Sequence, residues 1–324
     1  MPPTPTPRVK PHALRNGDKI GIVAPASNIR RDALEAGCQT LRNLGYAPFY
    51  FDSIFEKDVY FAGSLDRRAR ELEEMFIRDD VRAIICARGG YGSNYLLRAL
   101  DLEKIKAHPK IFVGYSDLTS LLTYFSDSAG FVNFHGPMVN KDFGSVTGID
   151  LQSWHNAVSG MSKWTVDVNP ETTSLVEGFA EVIFYGGCLS ILVASLGTPY
   201  EIQTGGTILF LEDVAAKPFQ IDRMLMQLKL AGQFTGVRGI IFGEMRDCVQ
   251  NKSVSGKDQG YTLEEVILRV VGDLGVPVAF GLRSGHVSES NITHPLGIRA
   301  SLQVGGGTVQ LNFLEAATTP ADLC

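Results

Sequence analysis

Short apolar runs alternate with segments of helical periodicity over roughly the first 140 residues. The runs predict buried strands at 19–24, 47–51, 83–86, 111–113 and 131–134. Apolar side chains that recur every three or four positions predict helices at about 28–44, 66–77, 93–100 and 119–125. Because strands and helices alternate, this part of the chain is predicted to be an α/β domain built on a doubly wound parallel sheet, with helices on both faces.

The pattern weakens after residue 141, where Ser, Gly, Thr and Asn become frequent and predict a connection between domains at 142–180. Beyond it, strands are predicted at 182–185, 207–211, 239–242 and 277–279, helices after 186–187 and at 221–231 and 263–274, and a hairpin at 298–304 and 308–313. We therefore expect domains at 17–141 and 181–315, the second a smaller α/β domain with a mixed sheet. Tails are expected at 1–16, where we predict flexibility, and at 316–324.

The sharpest local signal is Ser116, which stands in a tight turn between a predicted strand and a predicted helix. This arrangement is typical of a nucleophile elbow, which lifts a hydroxyl above the sheet edge. The G-x-S-x-G pattern is incomplete, since Leu118 stands where the second Gly would be. A helix N-cap is therefore an alternative role for this serine.

An activated serine needs a base and a carboxylate that orients it. Of the six histidines, His135 ends a predicted strand near Ser116, while His286 and His294 are predicted to lie in a loop between the last strands. Glu212 ends an apolar strand, so its carboxylate is expected at the carboxyl edge of a sheet, although a loop or helix-capping charge is the alternative.

A glycine-rich segment, Arg-Gly-Gly-Tyr-Gly at 88–92, follows the third predicted strand. Its glycines allow a close backbone approach, so Gly89 or Gly90 could supply one N–H group of an oxyanion hole, and Asp117 the other. The spacing does not match the dinucleotide pattern G-x-G-x-x-G, and a loop that holds a phosphate is the competing interpretation.

The amino-acid composition excludes several classes of protein. With 324 residues, 44% of them hydrophobic and 20% charged, a sizeable core is expected. A net charge of −5 and no basic block argue against nucleic acid as a partner. Five scattered cysteines without a C-x-x-C pair predict neither disulfides nor a metal site. With no bilayer-length apolar run and no signal-peptide core, we expect a cytoplasmic protein that does not bind membranes.

Seven short motifs follow one another along nearly the whole chain. They are Val-Ala-Pro-Ala-Ser at 23–27, Ala-Arg-Gly-Gly-Tyr-Gly at 87–92, Gly-Tyr-Ser-Asp-Leu-Thr at 114–119, His-Gly-Pro-Met at 135–138, Leu-Glu-Asp at 211–213, Ile-Asp-Arg-Met-Leu-Met-Gln-Leu at 221–228, and Gly-His at 285–286 with Asn291 and Pro-Leu-Gly at 295–297. In this order they resemble the LD-carboxypeptidases, the serine peptidase family that includes muramoyl-tetrapeptide carboxypeptidase and the microcin C immunity hydrolase.

The resemblance implies a flavodoxin-like N-terminal domain and a Ser–His–Glu triad that is assembled across both domains. By motif, Ser116 would be the nucleophile, His286 the base and Glu212 the orienting carboxylate. The amides of Gly90 and Asp117 would form the oxyanion hole. No metal or other cofactor is implied, and a homodimer with sites near its interface is expected.

A carboxypeptidase must also bind the free carboxylate of its substrate. Arg88 is the candidate for this contact, and Gly89 and His135 are further substrate-binding candidates. The chain departs from many relatives at Cys188, where an Asn is common, and at His294, where a Leu is more common. The polar segment 249–260 is expected to be a mobile loop over the site.

The first hypothesis is a metal-independent serine carboxypeptidase that removes a terminal D-amino acid from a cytoplasmic muropeptide. A microcin-immunity type of hydrolase, which cleaves an amide of an aminoacyl or peptidyl nucleotide analogue, is the close alternative. A non-catalytic binder of peptides or nucleotides is a third possibility, and an α/β-hydrolase esterase a fourth. The retained Ser, His and Glu argue against the binder, and the missing G-x-S-x-G pattern argues against the esterase.

Overall fold

The computed structural model describes residues 8–168, 171–249 and 261–320. Its N-terminal half contains β1 (Lys19–Val23), α1 (Arg31–Asn43), β2 (Ala47–Phe49), α2 (Leu65–Ile77), β3 (Val81–Cys86), α3 (Leu102–Ala107), β4 (Ile111–Gly114), α4 (Thr119–Tyr124), β5 (Asn133–His135) and α5 (Leu151–Val158). Short 3-10 turns occur at Asp52–Phe55, Ser93–Arg98 and Ser116–Leu118, and π-helical turns at Phe125–Ala129 and Val139–Phe143.

The C-terminal half contains β6 (Trp164–Thr165), β7 (Thr173–Val176), β8 (Gly178–Cys188), α6 (Leu189–Ala194), β9 (Thr207–Glu212), α7 (Pro218–Leu230), β10 (Gly239–Gly243), α8 (Leu263–Val271), β11 (Val278–Leu282), β12 (His294–Leu296), β13 (Arg299–Gly305) and β14 (Thr308–Phe313). A 3-10 turn at Gly272–Leu274 follows α8. In the described part of the chain, no helix is long and apolar enough to cross a membrane.

The N-terminal sheet has the strand order β12-β5-β4-β3-β1-β2. Strands β1 to β5 are parallel, and the apolar side chains of β1, β3, β4 and β5 are buried, as the continuous apolar runs predict, whereas the edge strand β2 is partly exposed. The sixth strand, β12, comes from the far end of the chain and pairs antiparallel with β5, so that His294 lies opposite His135. His294 is therefore a buried strand residue, and its expected place in a loop was wrong.

The C-terminal sheet has the strand order β6-β14-β13-β8-β9-β10-β11-β7. Strands β8 to β11 that lie side by side in its centre are parallel, and the remaining pairs are antiparallel. The predicted α/β class with a mixed second sheet is thus confirmed. The edge strands β6 and β7 come from the segment 142–180, which the sequence predicts to be only a connection.

The parts of both predicted tails that the structure describes pack against the domains. Val9 forms a bridge with Phe131, and Ala13 and Leu14 are buried. At the other end Thr319 donates its amide to the carbonyl of Pro11 at 2.8 Å. The segment 8–16, where the sequence predicts flexibility, is therefore packed against the domains, because its apolar side chains Ala13 and Leu14 are buried there.

Candidate active site

Ser116 lies at the apex of the turn between β4 and α4, where its φ of +64° is unusual for a residue other than glycine. Such strain concentrates at functional sites. Close packing surrounds the turn, since a Cβ built on Gly89 would lie 3.1 Å from Cβ of Ser116. Leu118 packs on Gly114 at the start of the turn, because a Cβ built on Gly114 would lie 3.1 Å from the Cβ of Leu118. The sharp turn is thus formed without a glycine at position 118.

The alternative N-cap role receives no support from the described structure. The 3-10 turn that begins at Ser116 and the helix α4 that follows both start without a hydrogen bond from a capping side chain. The strained serine therefore has no visible part in helix capping.

Glu212, at the end of β9, contacts His286 twice. Its Oε2 lies 2.7 Å from Nδ1 of His286 and accepts the backbone N–H of the same residue at 3.1 Å. Burial would raise the pKa of Glu212, but the two neighbouring histidines, His286 first and His135 second, hold it well below its usual range. With Nδ1 facing a carboxylate, its proton is held there, and Nε2 is left free to act as a base.

Glycine is required where the chain passes over the Glu212 carboxylate. Gly285 has a φ of +92°, and a Cβ built on it would lie 2.6 Å from the carboxyl carbon of Glu212. Asn291 fixes this glycine from the other side, accepting its N–H at 2.9 Å and donating to its carbonyl at 3.2 Å. The motif Gly-His with Asn291 is thereby explained as the support of the His286 backbone.

Ser116 and His286 line the same open cleft of about 510 Å³, and Glu212 lies behind His286 with 1% of its surface exposed. The other residues around this active-site cleft are Arg30, Ala33, Ala87, Arg88, Gly89, Gly90, Tyr115, Met138, Asn140, Lys141 and Val214. The structure therefore brings the predicted nucleophile and the predicted base to one solvent-accessible space, although the sequence separates them widely.

The two predicted oxyanion-hole residues lie on backbone that side chains hold in place. The Asp117 carboxylate accepts the amide of Ser93 at 2.8 Å, and the Ser93 hydroxyl donates to the Asp117 carbonyl at 2.6 Å. Ser27 accepts the amide of Tyr91 at 3.1 Å, next to Gly90, whose φ is +99°. Ser27 therefore braces the glycine-rich loop and does not cap α1, which begins at Arg31 without a side-chain cap.

The substrate-binding candidates fall in two different places. Arg88 and Gly89 line the active-site cleft, and the Arg88 guanidinium donates to the carbonyl of Asn28 at 3.2 Å. His135 is fully buried and lies behind Glu212, away from the cleft, so its assignment as a substrate contact was wrong. From the sequence, a histidine that ends the strand next to the Ser116 strand could lie in the cleft or behind Glu212. The pairing of β5 with β12 buries it behind Glu212.

Among the cleft residues that sequence reasoning did not single out, Lys141 and Tyr115 make contacts near the predicted triad. Lys141 lies 3.4 Å from both the Tyr115 hydroxyl and the carbonyl of Val287, and its ammonium faces the Tyr115 ring. Tyr115 is buried, and its ring meets the ring of His286 edge-on with centroids 5.2 Å apart. The only signals for them in the sequence were their positions: Tyr115 directly precedes Ser116, and Lys141 follows the His-Gly-Pro motif by a few residues.

Cys188 joins the two domains close to the site. It lies opposite Glu212 in the sheet, and its amide donates to the hydroxyl of Thr119 on α4 at 3.0 Å. Its thiol is buried, which raises its pKa, and lies 3.4 Å from the hydroxyl of Ser190. The thiol does not line the active-site cleft. The expected loop at 249–260 lies outside the described residues, apart from Val249.

Comparison of the chain with known proteins identifies its family. Models of the N-terminal and C-terminal LD-carboxypeptidase domains match residues 20–136 and 181–302. The chain belongs to the LD-carboxypeptidase family. A probable murein peptide carboxypeptidase of Bacillus subtilis is 38% identical over 308 residues, which cover 92% of this chain and 93% of the relative.

Two further LD-carboxypeptidase relatives extend the comparison. The microcin C7 self-immunity protein of Escherichia coli is 28% identical, with 92% of this chain and 94% of the relative covered. The crystal structure of muramoyltetrapeptide carboxypeptidase from Oxalobacter formigenes superposes with a TM-score of 0.80 at 28% identity, and covers 94% of this chain and all of that chain. The family is one of serine peptidases, and the predicted hydrolase class is confirmed.

Proposed function

We propose that this protein is a serine LD-carboxypeptidase that releases the terminal D-Ala from murein tetrapeptides, as in murein recycling. The observation that carries the proposal is the pair of contacts between Glu212 and His286 beside a strained Ser116 in one open cleft. The named activity of the Bacillus subtilis and Oxalobacter formigenes relatives supports this substrate class.

In the proposed reaction, Nε2 of His286 takes the proton of the Ser116 hydroxyl while its oxygen attacks the carbonyl of the L,D-peptide bond. The oxyanion of the tetrahedral intermediate accepts the N–H groups of Gly90 and Asp117. His286 then gives its proton to the nitrogen of the leaving D-Ala, and the C–N bond breaks to leave an acyl-enzyme. His286 takes a proton from water as the water oxygen attacks the ester carbonyl, the C–O bond to Ser116 breaks, and His286 returns the proton to the Ser116 oxygen.

Positive side chains around the cleft suit a substrate with a free carboxylate. Arg88, Lys141 and Arg30 all line it, and Arg30 is paired with Asp32. We propose Arg88 as the group that binds the terminal carboxylate, since a guanidinium can bind both oxygens at once. Lys141 is the second cation available to the same carboxylate.

The deciding experiment measures D-Ala release from a muramoyl tetrapeptide that ends in diaminopimelate and D-Ala, by mass spectrometry. We expect release by the wild type and none by Ser116→Ala, which should keep its fold and still bind the peptide. If the wild type releases no D-Ala, the murein assignment is wrong. Loss of folding in Ser116→Ala would favour a structural role for the serine.

The microcin-immunity type of hydrolysis is the second candidate, since the Escherichia coli relative aligns over almost its whole length. The same proposed triad would serve this reaction with a different leaving group. Parallel assays with an aminoacyl sulfamoyl nucleoside and with the tetrapeptide compare the two. A kcat/KM at least tenfold higher for the nucleoside would transfer the assignment.

We also propose that the protein acts in the cytoplasm as a homodimer. The four cysteines in the described part of the chain, Cys38, Cys86, Cys188 and Cys248, are free and buried, which suits a reducing compartment. The dimer is proposed from the family resemblance alone. Light scattering coupled to size-exclusion chromatography measures the mass, and a monomer near 35 kDa would contradict this part of the proposal.

A further inference from the structure

Glu212 uses only one of its two carboxylate oxygens to bind His286. Oε2 accepts both the ring N–H and the backbone N–H, while Oε1 points into the interior. No group among the described residues lies within hydrogen-bonding distance of Oε1, and Nε2 of His135 is 3.9 Å away. A buried carboxylate oxygen without a donor is costly, so a donor at this position would stabilise the ionised triad.

His135 lies directly behind that oxygen and is completely buried. Its Nδ1 is 3.2 Å from the hydroxyl of Ser284, which in turn lies 3.0 Å from the carbonyl of Ile292. Its Nε2, like Oε1 of Glu212, has no hydrogen-bond partner among the described residues. The two unsatisfied atoms face each other across 3.9 Å.

The position of one proton decides whether these two atoms attract. If Nδ1 of His135 carries it, the lone pair of Nε2 faces the carboxylate and both atoms stay unsatisfied. If Nε2 carries it, the Ser284 hydroxyl donates to Nδ1, and Nε2–H points at the carboxylate of Glu212. In the second arrangement the Ser284 hydroxyl gives up its neutral hydrogen bond to the Ile292 carbonyl, and His135 gains a charge-assisted hydrogen bond to Glu212. The charge-assisted bond is the stronger of the two.

The surroundings of His135 favour a neutral ring with a single proton. Burial lowers its pKa, although the nearby Glu212 raises it, and the charge of His286 lowers it further. The other titratable groups that face it are His294, whose ring stacks on it with centroids 4.8 Å apart, and Tyr115 at 5.9 Å. Burial also lowers the pKa of His294 well below its usual range, so this neighbour stays neutral.

We propose that His135 is a positioning residue of the hydrolytic reaction: as the Nε2–H tautomer it donates to Oε1 of Glu212 and thereby keeps Oε2 on His286. A small rotation of the ring or the carboxylate brings the two atoms to about 3 Å, the ordinary hydrogen-bond distance. The inference rests on the triad proposed above. It assigns the His-Gly-Pro motif a role behind the carboxylate instead of in substrate binding.

Two substitutions at His135 separate donor chemistry from packing. His135→Leu removes the donor, and we expect kcat to fall about 10- to 100-fold with KM changed less than about twofold. The acidic limb of the pH–rate profile should move to higher pH. Without the donor from His135, the negative charge of Glu212 acts on His286 alone and favours its protonated form. His135→Gln places an amide N–H near the former Nε2 and should recover most of kcat and the original profile.

His294→Leu is the matched control, since His294 is equally buried in the same stack and makes no hydrogen bond to Glu212 within the described structure. We expect its kcat to stay within about twofold of the wild type. Urea unfolding of each variant checks that the protein is folded under the conditions in which kcat is measured. Equal losses of kcat in His135→Leu and His294→Leu, without rescue by His135→Gln, would overturn the proposal and reduce His135 to a packing role.

The tautomer can be read without any substrate. Protein labelled with ¹⁵N-histidine gives one ring spin system for His135, which is assigned by its loss in His135→Gln. A proton coupled to Nε2 supports the proposal, and a proton on Nδ1 overturns it. Because this spectrum is independent of turnover, a wild type that fails to release D-Ala would refute the proposed substrate and leave this test intact.

Discussion

At the scale of single residues, Gly285 connects backbone conformation to chemistry. Its Cβ position is occupied by the Glu212 carboxylate, so Gly285→Ala should displace the carboxylate from His286. We expect kcat to fall at least 100-fold and the free energy of unfolding to fall by about 1–3 kcal/mol. D-Ala release and urea unfolding measure the two effects.

The control for this change is Gly275→Ala. Gly275 also has a positive φ, of +67°, but no atom lies within 4 Å of its Cβ position. It should show the conformational cost alone, about 1 kcal/mol, with kcat unchanged. If both variants lost activity equally, the contact between Gly285 and Glu212 would not be the cause.

The depressed pKa of Glu212 makes its contribution to stability depend on pH. A carboxyl group whose pKa is lower in the folded than in the unfolded chain stabilises the fold above its unfolded value of about 4.3, and loses this effect as pH falls towards the folded value. We expect the difference in unfolding free energy between wild type and Glu212→Gln to shrink as the pH falls below about 4, because Glu212 then becomes protonated in the unfolded chain. A difference that grew on acidification would contradict the assignment of a paired, ionised Glu212.

At the scale of elements, two serines that each accept a backbone amide should behave differently. Ser27 accepts the amide of Tyr91 beside the active-site cleft, whereas Ser64 accepts that of Arg67 at the start of α2. Ser27→Ala should lower kcat/KM about tenfold, because the glycine-rich loop loses a support. Ser64→Ala should cost about 1 kcal/mol of stability and leave kcat/KM unchanged. Kinetics and urea unfolding on both variants test the pair, and the reverse assignment of effects would refute it.

Elements with strong local patterns could be predicted from the sequence, and elements defined only by a distant partner could not. The central strands of both sheets are continuous apolar runs, so periodicity finds them. β12 is three residues long, contains Pro295, and becomes a strand only because β5 is unpaired at that edge. For the same reason the sequence placed His286 near Glu212 only by motif, and it named His135 a substrate-binding candidate although the pairing with β12 buries it.

At the scale of the whole molecule, β12 makes the two halves of the chain depend on each other. This strand leaves the C-terminal half to complete the N-terminal sheet, and Leu296 is fully buried there. Thr119 on α4 and Cys188 on β8 add a second link near the active site. We therefore expect the two sheets to unfold together in one transition instead of separately.

The chain's two tryptophans allow this cooperativity to be measured. Trp154 packs against Phe143 and reports on the N-terminal half, while Trp164 packs against Phe313 and reports on the C-terminal sheet. In Trp154→Phe and Trp164→Phe backgrounds, the remaining fluorescence should therefore follow one half at a time. Leu296→Ala should lower the unfolding free energy by about 2–5 kcal/mol in both backgrounds, because the strand it weakens belongs to a shared core. A loss confined to the background that retains Trp154 would mean that β12 stabilises the N-terminal sheet alone, and that the halves fold independently.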